Sequence, residues 1–306
     1  FTGSQGNVQN AREELDYYEL LEISQSGLGG VPESAKATSV IRQLLPQLAF
    51  EPLDPLLDEM RWVKSAYEIE LIKKSSEIGA EGVKESMKGT RPGMYEYEIE
   101  AAARYIYTKR GARGDAFRPI VASGPNTMIL HYSANNRQMM DGEVVYIDYG
   151  ADYEYYTSDI TRTWPVNGRF TPEQEKMYRC ILEARDAIIA AMKPGTTINQ
   201  LRTVAGEVYK KHGFEKEFLA LGRYIGHTIG ISTHDVDVAD FPNRPLVAGV
   251  VFNVEPLLEL PEKKIHMRLE DTVLVTPTGA VNMTAGAPAN LDEIYALIRQ
   301  KALSIN

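Results

Sequence analysis

The spacing of hydrophobic residues predicts that the regular part of the chain begins with two helices. Ser65 and Glu68 have the spacing of an N-terminal capping box, and apolar residues follow at helical intervals as far as Met87. A second helix is predicted from about residue 95 to Lys109, and Gly111 lies where a left-handed residue would close it. These two helices and the turn between them form one helical unit.

The same helical unit occurs twice. A segment of 21 residues runs from the Arg-Pro-Gly sequence at 91–93 to Gly111, and a second runs from the Lys-Pro-Gly sequence at 193–195 to Gly213. Each segment follows a long helix. The second long helix is predicted to begin with a capping box, in which Thr171 is the N-cap, proline follows directly and Gln174 lies three residues after the cap. Each segment also precedes strands that carry an acidic pair. The matching length and order predict an internal duplication whose halves are related by a pseudo-two-fold axis.

Acidic residues interrupt four segments that are otherwise rich in β-branched and aromatic residues. The four predicted strands are 146–150 with Asp148, 157–163 with Asp159, 250–256 with Glu255 and 267–275 with Glu270. A chain reversal near residues 152–154 would place Asp148 and Asp159 side by side on neighbouring strands. Because strands are depleted in aspartate, two such residues indicate a function.

A histidine between glycines lies between the two acidic pairs. His227 stands in the sequence Gly-His-Thr-Ile-Gly, and His234 follows seven residues later. Carboxylates and an imidazole form a ligand set that suits Mn²⁺, Mg²⁺ or Fe²⁺. Two carboxylates about 4 Å apart repel by roughly 4 kcal/mol at an effective dielectric of about 20, so four converging carboxylates would favour two divalent ions. The alternative is that each acid is a solvated residue at the end of a strand.

Size and charge restrict the class of protein. The 306 residues are 43% hydrophobic, which is enough for one large domain or two ordinary ones. A net charge of −9 argues against nucleic acid and against anionic membrane surfaces as partners. The single cysteine, Cys180, precludes an intrachain disulfide and favours a reducing compartment, so a cytoplasmic location is predicted. No apolar run approaches the roughly 20 residues of a membrane helix.

The N-terminal segment, residues 1 to about 55, does not have the pattern of a complete domain. Residues 34–48 have a helical pattern, and residues 51–55 are typical of a linker. The glycines at 27–30 are expected to form a turn rather than a dinucleotide-binding loop, because Pro32 stands where a third glycine is needed.

These residues resemble the family of Xaa-Pro aminopeptidases and prolidases, from about residue 53 to the end of the chain. The strings that carry the resemblance are Ile147-Asp148-Tyr149-Gly150, Ser158-Asp159-Ile160-Thr161-Arg162-Thr163, His227 with His234, Val254-Glu255-Pro256 and Arg268-Leu269-Glu270-Asp271. The catalytic domain of that family has an α+β pita-bread fold with two related halves, which agrees with the repeat above. The resemblance implies that residues 1–55 are a remnant of an N-terminal domain plus a linker, and that residues 56–306 form the catalytic domain.

The resemblance also implies a site for two divalent ions, expected to be Mn²⁺, with Zn²⁺, Co²⁺ or Fe²⁺ as alternatives. The implied ligands are Asp148, Asp159, His227, Glu255 and Glu270. Asp159 and Glu270 would bridge the two ions, and Glu255 would also carry a proton from the attacking water.

Three further residues match functional positions of the family. His131 and His234 would stabilise the tetrahedral intermediate and contact the substrate, although the residues around His131 are equally compatible with a structural role. Arg268 would be a hydrogen-bond partner of the ligand carboxylates. No Gly-x-Ser-x-Gly motif is present and Cys180 has a helical context, which disfavours a serine or cysteine nucleophile.

The sequence also departs from the family at three positions in its substrate region. Arg223 stands four residues before His227, where the family usually has histidine. Ser232 replaces an acidic residue, and Leu257 replaces a glycine found in many members. Arg223 either binds a substrate carboxylate, which would favour dipeptides, or forms a structural ion pair.

The sequence therefore predicts a dinuclear metal-dependent aminopeptidase that hydrolyses the N-terminal X-Pro bond of proline-containing peptides. One alternative is an Xaa-Pro dipeptidase. Another is a family member without activity that acts as a binding protein. Creatinase-like hydrolysis without metal is disfavoured because all five metal-ligand types are present. The resemblance further implies a homodimer.

Overall fold

The structure is a computed structural model that describes residues 33–49, 51, 53–237 and 242–302. The chain divides into two compact units, Phe1–Trp62 and Val63–Asn306. The described part of the first unit contains helices α1 (Glu33–Leu44) and α2 (Asp54–Trp62). The linker predicted at 51–55 is therefore too long, because α2 already begins at Asp54. The predicted glycine turn at 27–30 lies outside the described residues.

The second unit contains the helical pairs that the hydrophobic pattern predicts. Its described helices are α3 (Ala66–Met87), α4 (Glu96–Lys109), α5 (Pro172–Ala191), α6 (Ile198–His212), α7 (Glu215–Ala220) and α8 (Leu291–Ile298). The predicted capping boxes at Ser65 and Thr171 are both present, with the hydroxyl accepting from the backbone N–H three residues later. Among the described helices, none combines the length and apolar character needed to cross a bilayer.

Antiparallel strands form the sheet layer beside these helices. The strands are β1 (Gly114–Asp115), β2 (Ile120–Ser123), β3 (Val144–Asp148), β4 (Ala151–Tyr153), β5 (Tyr156–Thr157), β6 (Thr161–Pro165), β7 (Gly226–Thr228), β8 (Val251–Val254), β9 (Leu257–Leu260), β10 (Ile265–Arg268), β11 (Asp271–Val275) and β12 (Ala280–Asn282). One sheet has the order β2-β3-β6 and another the order β12-β11-β8-β7. Every residue of β3, β6 and β8 is buried, so the centre of each sheet lies in the core.

The two halves repeat one another closely. In the first half, helices α3 and α4 precede strands β2 and β3, a hairpin (β4 and β5) and strand β6. In the second half, α5 and α6 precede β7 and β8, a hairpin (β9 and β10) and β11. Gly93 and Gly195 both have a φ of 93°, and each donates its N–H over 2.8 Å, to the carbonyls of Met139 and Leu246 respectively. The predicted duplication is therefore confirmed.

The acids lie at strand ends rather than inside strands. Asp148 is the last residue of β3 and pairs with Thr161 on β6. Asp159 lies between β5 and β6, Glu255 between β8 and β9, and Glu270 between β10 and β11. The prediction that these three acids are strand residues was wrong. The chain interrupts its strands where each carboxylate leaves the sheet, which removes the conflict between aspartate and strand geometry.

Candidate active site

Five candidate ligands converge between the β2-β3-β6 sheet of the first half and the β12-β11-β8-β7 sheet of the second half, which we call the two half-sheets. Asp159, His227 and Glu270 each offer one ligand atom, and these atoms lie within 4.8 Å of one another. The His227 Nε2 atom is 3.6 Å from Asp159 Oδ2 and 3.3 Å from Glu270 Oε1. Glu255 Oε2 is 3.9 Å from the same nitrogen. Asp148 joins the group through Arg268, which contacts both Asp148 and Glu255.

The backbone around His227 determines which ring nitrogen faces this cluster. Gly226 has a φ of 130°, and a side chain there would overlap the carbonyl oxygen of Asn253 on the neighbouring strand. Only glycine therefore permits the close approach of β7 to β8. The Nδ1 atom of His227 lies 2.9 Å from the Thr228 carbonyl oxygen, to which it donates. That bond leaves Nε2 free to act as a ligand toward the carboxylates.

Arg268 spans the first and second halves of the site. Its Nη2 donates to Asp148 Oδ2 at 2.5 Å, and its Nη1 donates to Glu255 Oε1 at 2.8 Å. Arg268 is 4% exposed, so both contacts are charge-assisted hydrogen bonds in a region of low dielectric. The structure therefore places Arg268 against the carboxylates of Asp148 and Glu255.

Asp159 and Glu270 are held in surroundings that oppose their negative charge. Burial raises the pKa of Asp159 well above its usual range, and the Glu270 and Asp148 carboxylates raise it further. Burial and the Glu255 carboxylate raise the pKa of Glu270 to about 7. Burial would lower the pKa of His227, but Glu270 and Glu255 outweigh it and raise that pKa to about 9. The cluster therefore has more negative charge than its protein neighbours neutralise.

The donor atoms fit divalent ions. Asp148 Oδ1 and Asp159 Oδ1 are buried and have no hydrogen-bond partner among the described residues. Buried carboxylate oxygens without a donor are costly unless a cation occupies the space beside them. Oxygen ligands with one imidazole suit Mn²⁺, Fe²⁺, Co²⁺ or Zn²⁺. The group formed by Asp159, His227 and Glu270 can hold a metal ion.

His131 and His234 lie at the rim of the cluster. The rings of His234 and His227 stack with their centroids 3.9 Å apart and their planes inclined by 8°. The charge on His227 lowers the pKa of His234 to about 2, and burial, His131 and Arg268 contribute to this shift. His131 is exposed and has a φ of 53°, a strained conformation for a non-glycine residue. The structure thus brings His131 and His234 to one side of the site.

The three residues that depart from the family pattern lie in the segments of the chain that carry His227, His234 and Glu255. Arg223 is exposed, with a φ of 59°, in the turn that precedes β7. Ser232 accepts a backbone hydrogen bond from Gly230 in the loop that leads to His234. Leu257 begins β9 and pairs with Arg268.

Several contacts to the ligands were not predicted from the sequence. Tyr224 OH donates to Glu255 Oε2 at 2.6 Å, and Thr161 Oγ1 donates to Glu270 Oε2 at 2.9 Å. Asn253 Nδ2 donates to the other Glu270 oxygen at 3.2 Å. Burial and the Glu255 carboxylate raise the pKa of Tyr224 well above its usual range, which keeps the phenol protonated. Tyr224 and Asn253 lie outside the strings that carry the resemblance, and Thr161 lies inside one without its contact to Glu270 being predicted, so only the folded chain reveals these contacts.

Comparison with known proteins gives consistent results. Residues 70–277 match metallopeptidase family M24. Over 271 residues the chain is 37% identical to the Xaa-Pro aminopeptidase of Escherichia coli, covering 80% of this chain and 61% of that protein. It is 32% identical over 276 residues to the Xaa-Pro dipeptidase of Pyrococcus furiosus, covering 88% and 76% of the two chains.

A solved structure has the same arrangement of elements. Proline aminopeptidase P II from Yersinia pestis superimposes with a TM-score of 0.79 at 32% identity, over 88% of this chain and 70% of that one. The present chain spans about 60% of the E. coli relative.

Proposed function

The chain belongs to metallopeptidase family M24 and has the pita-bread fold, and from this premise we propose that it is a metal-dependent peptidase that cleaves the N-terminal X-Pro bond of peptides. The observation that carries the proposal is the convergence of buried ligand atoms from Asp159, His227 and Glu270, with Asp148 and Glu255 beside them. Such a cluster is costly without a bound cation, since burial opposes the charges of Asp159 and Glu270.

Asp148, Asp159, His227, Glu255 and Glu270 would hold two divalent ions, and Mn²⁺ is the ion we propose. When bound, the ions supply positive charge for the scissile carbonyl oxygen and lower the pKa of nearby water. This chemistry needs no amide hydrogen on the substrate, which suits an X-Pro bond because proline has no N–H to donate.

The side chains of the protein would orient the reacting groups and transfer protons. Glu255 Oε2 faces the cluster, 3.9 Å from His227 Nε2, and would accept a proton there during attack on the carbonyl. Arg268 donates to the other Glu255 oxygen at 2.8 Å. His131 and His234 at the rim would contact the substrate and donate to its developing negative charge.

The test combines metal removal with two substrates. The chelated protein is assayed with Arg-Pro-Pro and Ala-Pro, before and after addition of Mn²⁺. We expect no activity without metal and cleavage of Arg-Pro-Pro after its addition. Asp159→Asn should abolish turnover, whereas Asp292→Asn, at an exposed position in the first turn of α8, should retain it. Bound metal without turnover of either peptide would contradict the proposal and favour a binding protein.

A dipeptidase is the second candidate, and the arginines near the rim favour it. Burial lowers the pKa of Arg202, and the nearby positive charge of Arg223 lowers it further. The Arg202 Nε atom is buried without a hydrogen-bond partner among the described residues, and an anionic ligand such as a dipeptide carboxylate would pair with both arginine charges. Cleavage of Ala-Pro but not of Arg-Pro-Pro would support this candidate. Arg223→Met should then raise KM for Ala-Pro with little change in kcat.

Assembly and location are further proposals that rest on the family. We propose a homodimer, which analytical ultracentrifugation of the purified chain would test. A cytoplasmic location likewise stays a prediction.

A further inference from the structure

One tyrosine reaches the centre of the candidate site without belonging to its predicted set. Tyr224 donates its hydroxyl hydrogen to Glu255 Oε2 at 2.6 Å. This oxygen lies 3.9 Å from His227 Nε2, whereas Oε1 accepts from Arg268 Nη1 at 2.8 Å. Each oxygen of the Glu255 carboxylate therefore has its own donor, and the two donors come from different parts of the chain.

The turn before β7 is shaped to bring Tyr224 to this position. Gly222 and Arg223 both have left-handed conformations, with φ values of 66° and 59°, and they reverse the chain after α7. The next residue but one, Ile225, accepts a backbone hydrogen bond from the N–H of Glu255 at 2.8 Å. Residue 255 is thus attached to the turn at two points, once through its backbone and once through its carboxylate. A single contact would leave the side chain free to rotate about its own bonds.

Such attachment matters because a glutamate side chain has three rotatable bonds. Without donors on both oxygens, the carboxylate would sample several rotamers and only some would face His227. Tyr224 is half-buried, and among the described residues the only partner of its hydroxyl is Glu255. A phenol placed there is therefore explained by the carboxylate that it contacts.

We propose that Tyr224 is a positioning residue whose hydroxyl holds the Glu255 carboxylate toward the metal centre. The inference rests on the proposed function, because it requires divalent ions to bind at the cluster. Side chains that hold a ligand carboxylate typically change metal affinity about 10-fold to 100-fold when they are removed. The hydroxyl of Tyr224 should have an effect of this size.

The experiment measures Mn²⁺ binding by isothermal titration calorimetry in wild type and two matched variants. Tyr224→Phe removes the hydroxyl at Glu255. Tyr178→Phe removes a buried tyrosine hydroxyl that donates to the Ala289 carbonyl at 2.8 Å and not to a candidate ligand. We expect Tyr224→Phe to weaken Mn²⁺ binding by about 10-fold to 100-fold and Tyr178→Phe to leave it unchanged. With peptide substrate, Tyr224→Phe should lower kcat more than it changes KM, because the carboxylate rather than the substrate is displaced.

A second background separates positioning from a general loss of structure. In Glu255→Gln protein the carboxylate is gone, so the added Tyr224→Phe change should cause no further loss of Mn²⁺ affinity. The inference is overturned if Tyr224→Phe binds Mn²⁺ like wild type, if Tyr178→Phe causes the same loss, or if the loss persists in the Glu255→Gln background. It is also overturned if Tyr224→Phe fails to fold by circular dichroism. If the wild type itself binds no Mn²⁺, the proposed function fails as well, which distinguishes the two outcomes.

Discussion

Asp159 is a buried acid whose immediate neighbours are mostly other acids. The residue is 4% exposed, and its Oδ1 atom has no hydrogen-bond partner among the described residues. The buried arginine nearby, Arg268, donates instead to Asp148 and Glu255. A carboxylate in this position is stable only when it is protonated or beside a cation. Protons and metal ions therefore compete for the Asp159 carboxylate.

This competition predicts how metal affinity depends on pH. The pKa of His227 is raised to about 9 and that of Glu270 to about 7, so both groups carry protons at pH 6 in the metal-free protein. A metal ion must displace these protons, and affinity should therefore rise from pH 6 to pH 9. Calorimetric titration with Mn²⁺ in buffers of different ionisation enthalpy should detect proton release on binding. An affinity that is independent of pH would contradict this assignment of the ligands.

Cys180 gives an independent prediction about reactivity. Burial raises the pKa of its thiol to about 12, so the thiolate is scarce below that pH. The folded protein should not react with Ellman's reagent at pH 8, whereas the protein unfolded in guanidinium should react with one equivalent. Fast reaction of the folded form would show that the packing around α5 is looser than described.

Strand ends, rather than strand interiors, carry the candidate ligands in both halves. Asp148 closes β3, and the other acids lie in the short breaks that follow β5, β8 and β10. Each break frees a side chain from the alternation of the sheet, so that it can point toward the opposite half. The close approach of β7 to β8 at Gly226 then adds His227 to the group. Sheet geometry therefore determines the ligand positions.

Gly226 should consequently be intolerant of any side chain. A Cβ atom there would overlap the Asn253 carbonyl oxygen, and the φ of 130° adds backbone strain of about 1–3 kcal/mol. Gly226→Ala should unfold at a clearly lower temperature than Gly213→Ala. Gly213 is the matched control, since its φ of 79° is also left-handed but its Cβ would meet open space. Equal melting temperatures for the two variants in differential scanning fluorimetry would contradict the close approach of β7 and β8.

The helices and the duplication could be predicted from the sequence because both depend on short local patterns of residues. The capping boxes at Ser65 and Thr171 and the paired Pro-Gly turns need no tertiary information. The strand breaks at the acids could not be predicted, because strand propensity does not indicate where pairing stops. Tyr224 was missed for a different reason, since its partner Glu255 lies 31 residues away and no motif joins them. The candidate ligands could thus be named from the sequence, but the contacts that support them could not.

The two halves of the duplicated unit are joined by a buried polar seam. Arg162 on β6 is fully buried and donates to Asp271 Oδ1 and to the Glu270 carbonyl, both at 2.6 Å. Burial raises the pKa of Asp271, but Arg162 and Arg185 outweigh it and keep that pKa below its usual range. Thr161 and Thr163 add further bonds, to Glu270 and to the Arg268 carbonyl. The seam fixes the second-half ligands relative to the first half.

Breaking this seam should cost more than breaking a surface ion pair. Arg162→Met would leave Asp271 buried with only one arginine, and loss of one partner of a buried pair costs about 3–5 kcal/mol. Arg179→Met removes an exposed pair with Glu175, and such pairs contribute about 0–1 kcal/mol. Urea unfolding should rank the two variants in this order. A similar free energy of unfolding for both would mean that the seam does not hold the halves together.

The account depends on divalent ions binding where the two halves meet, and anomalous scattering tests this directly. Crystals of the purified protein grown with Mn²⁺ would be measured on both sides of the manganese absorption edge. We expect two anomalous peaks, each within coordination distance of carboxylate oxygens from the set Asp148, Asp159, Glu255 and Glu270, with one also beside His227 Nε2. The account would be contradicted if crystals grown with Mn²⁺ gave no anomalous peak at this cluster, or gave peaks only elsewhere in the molecule.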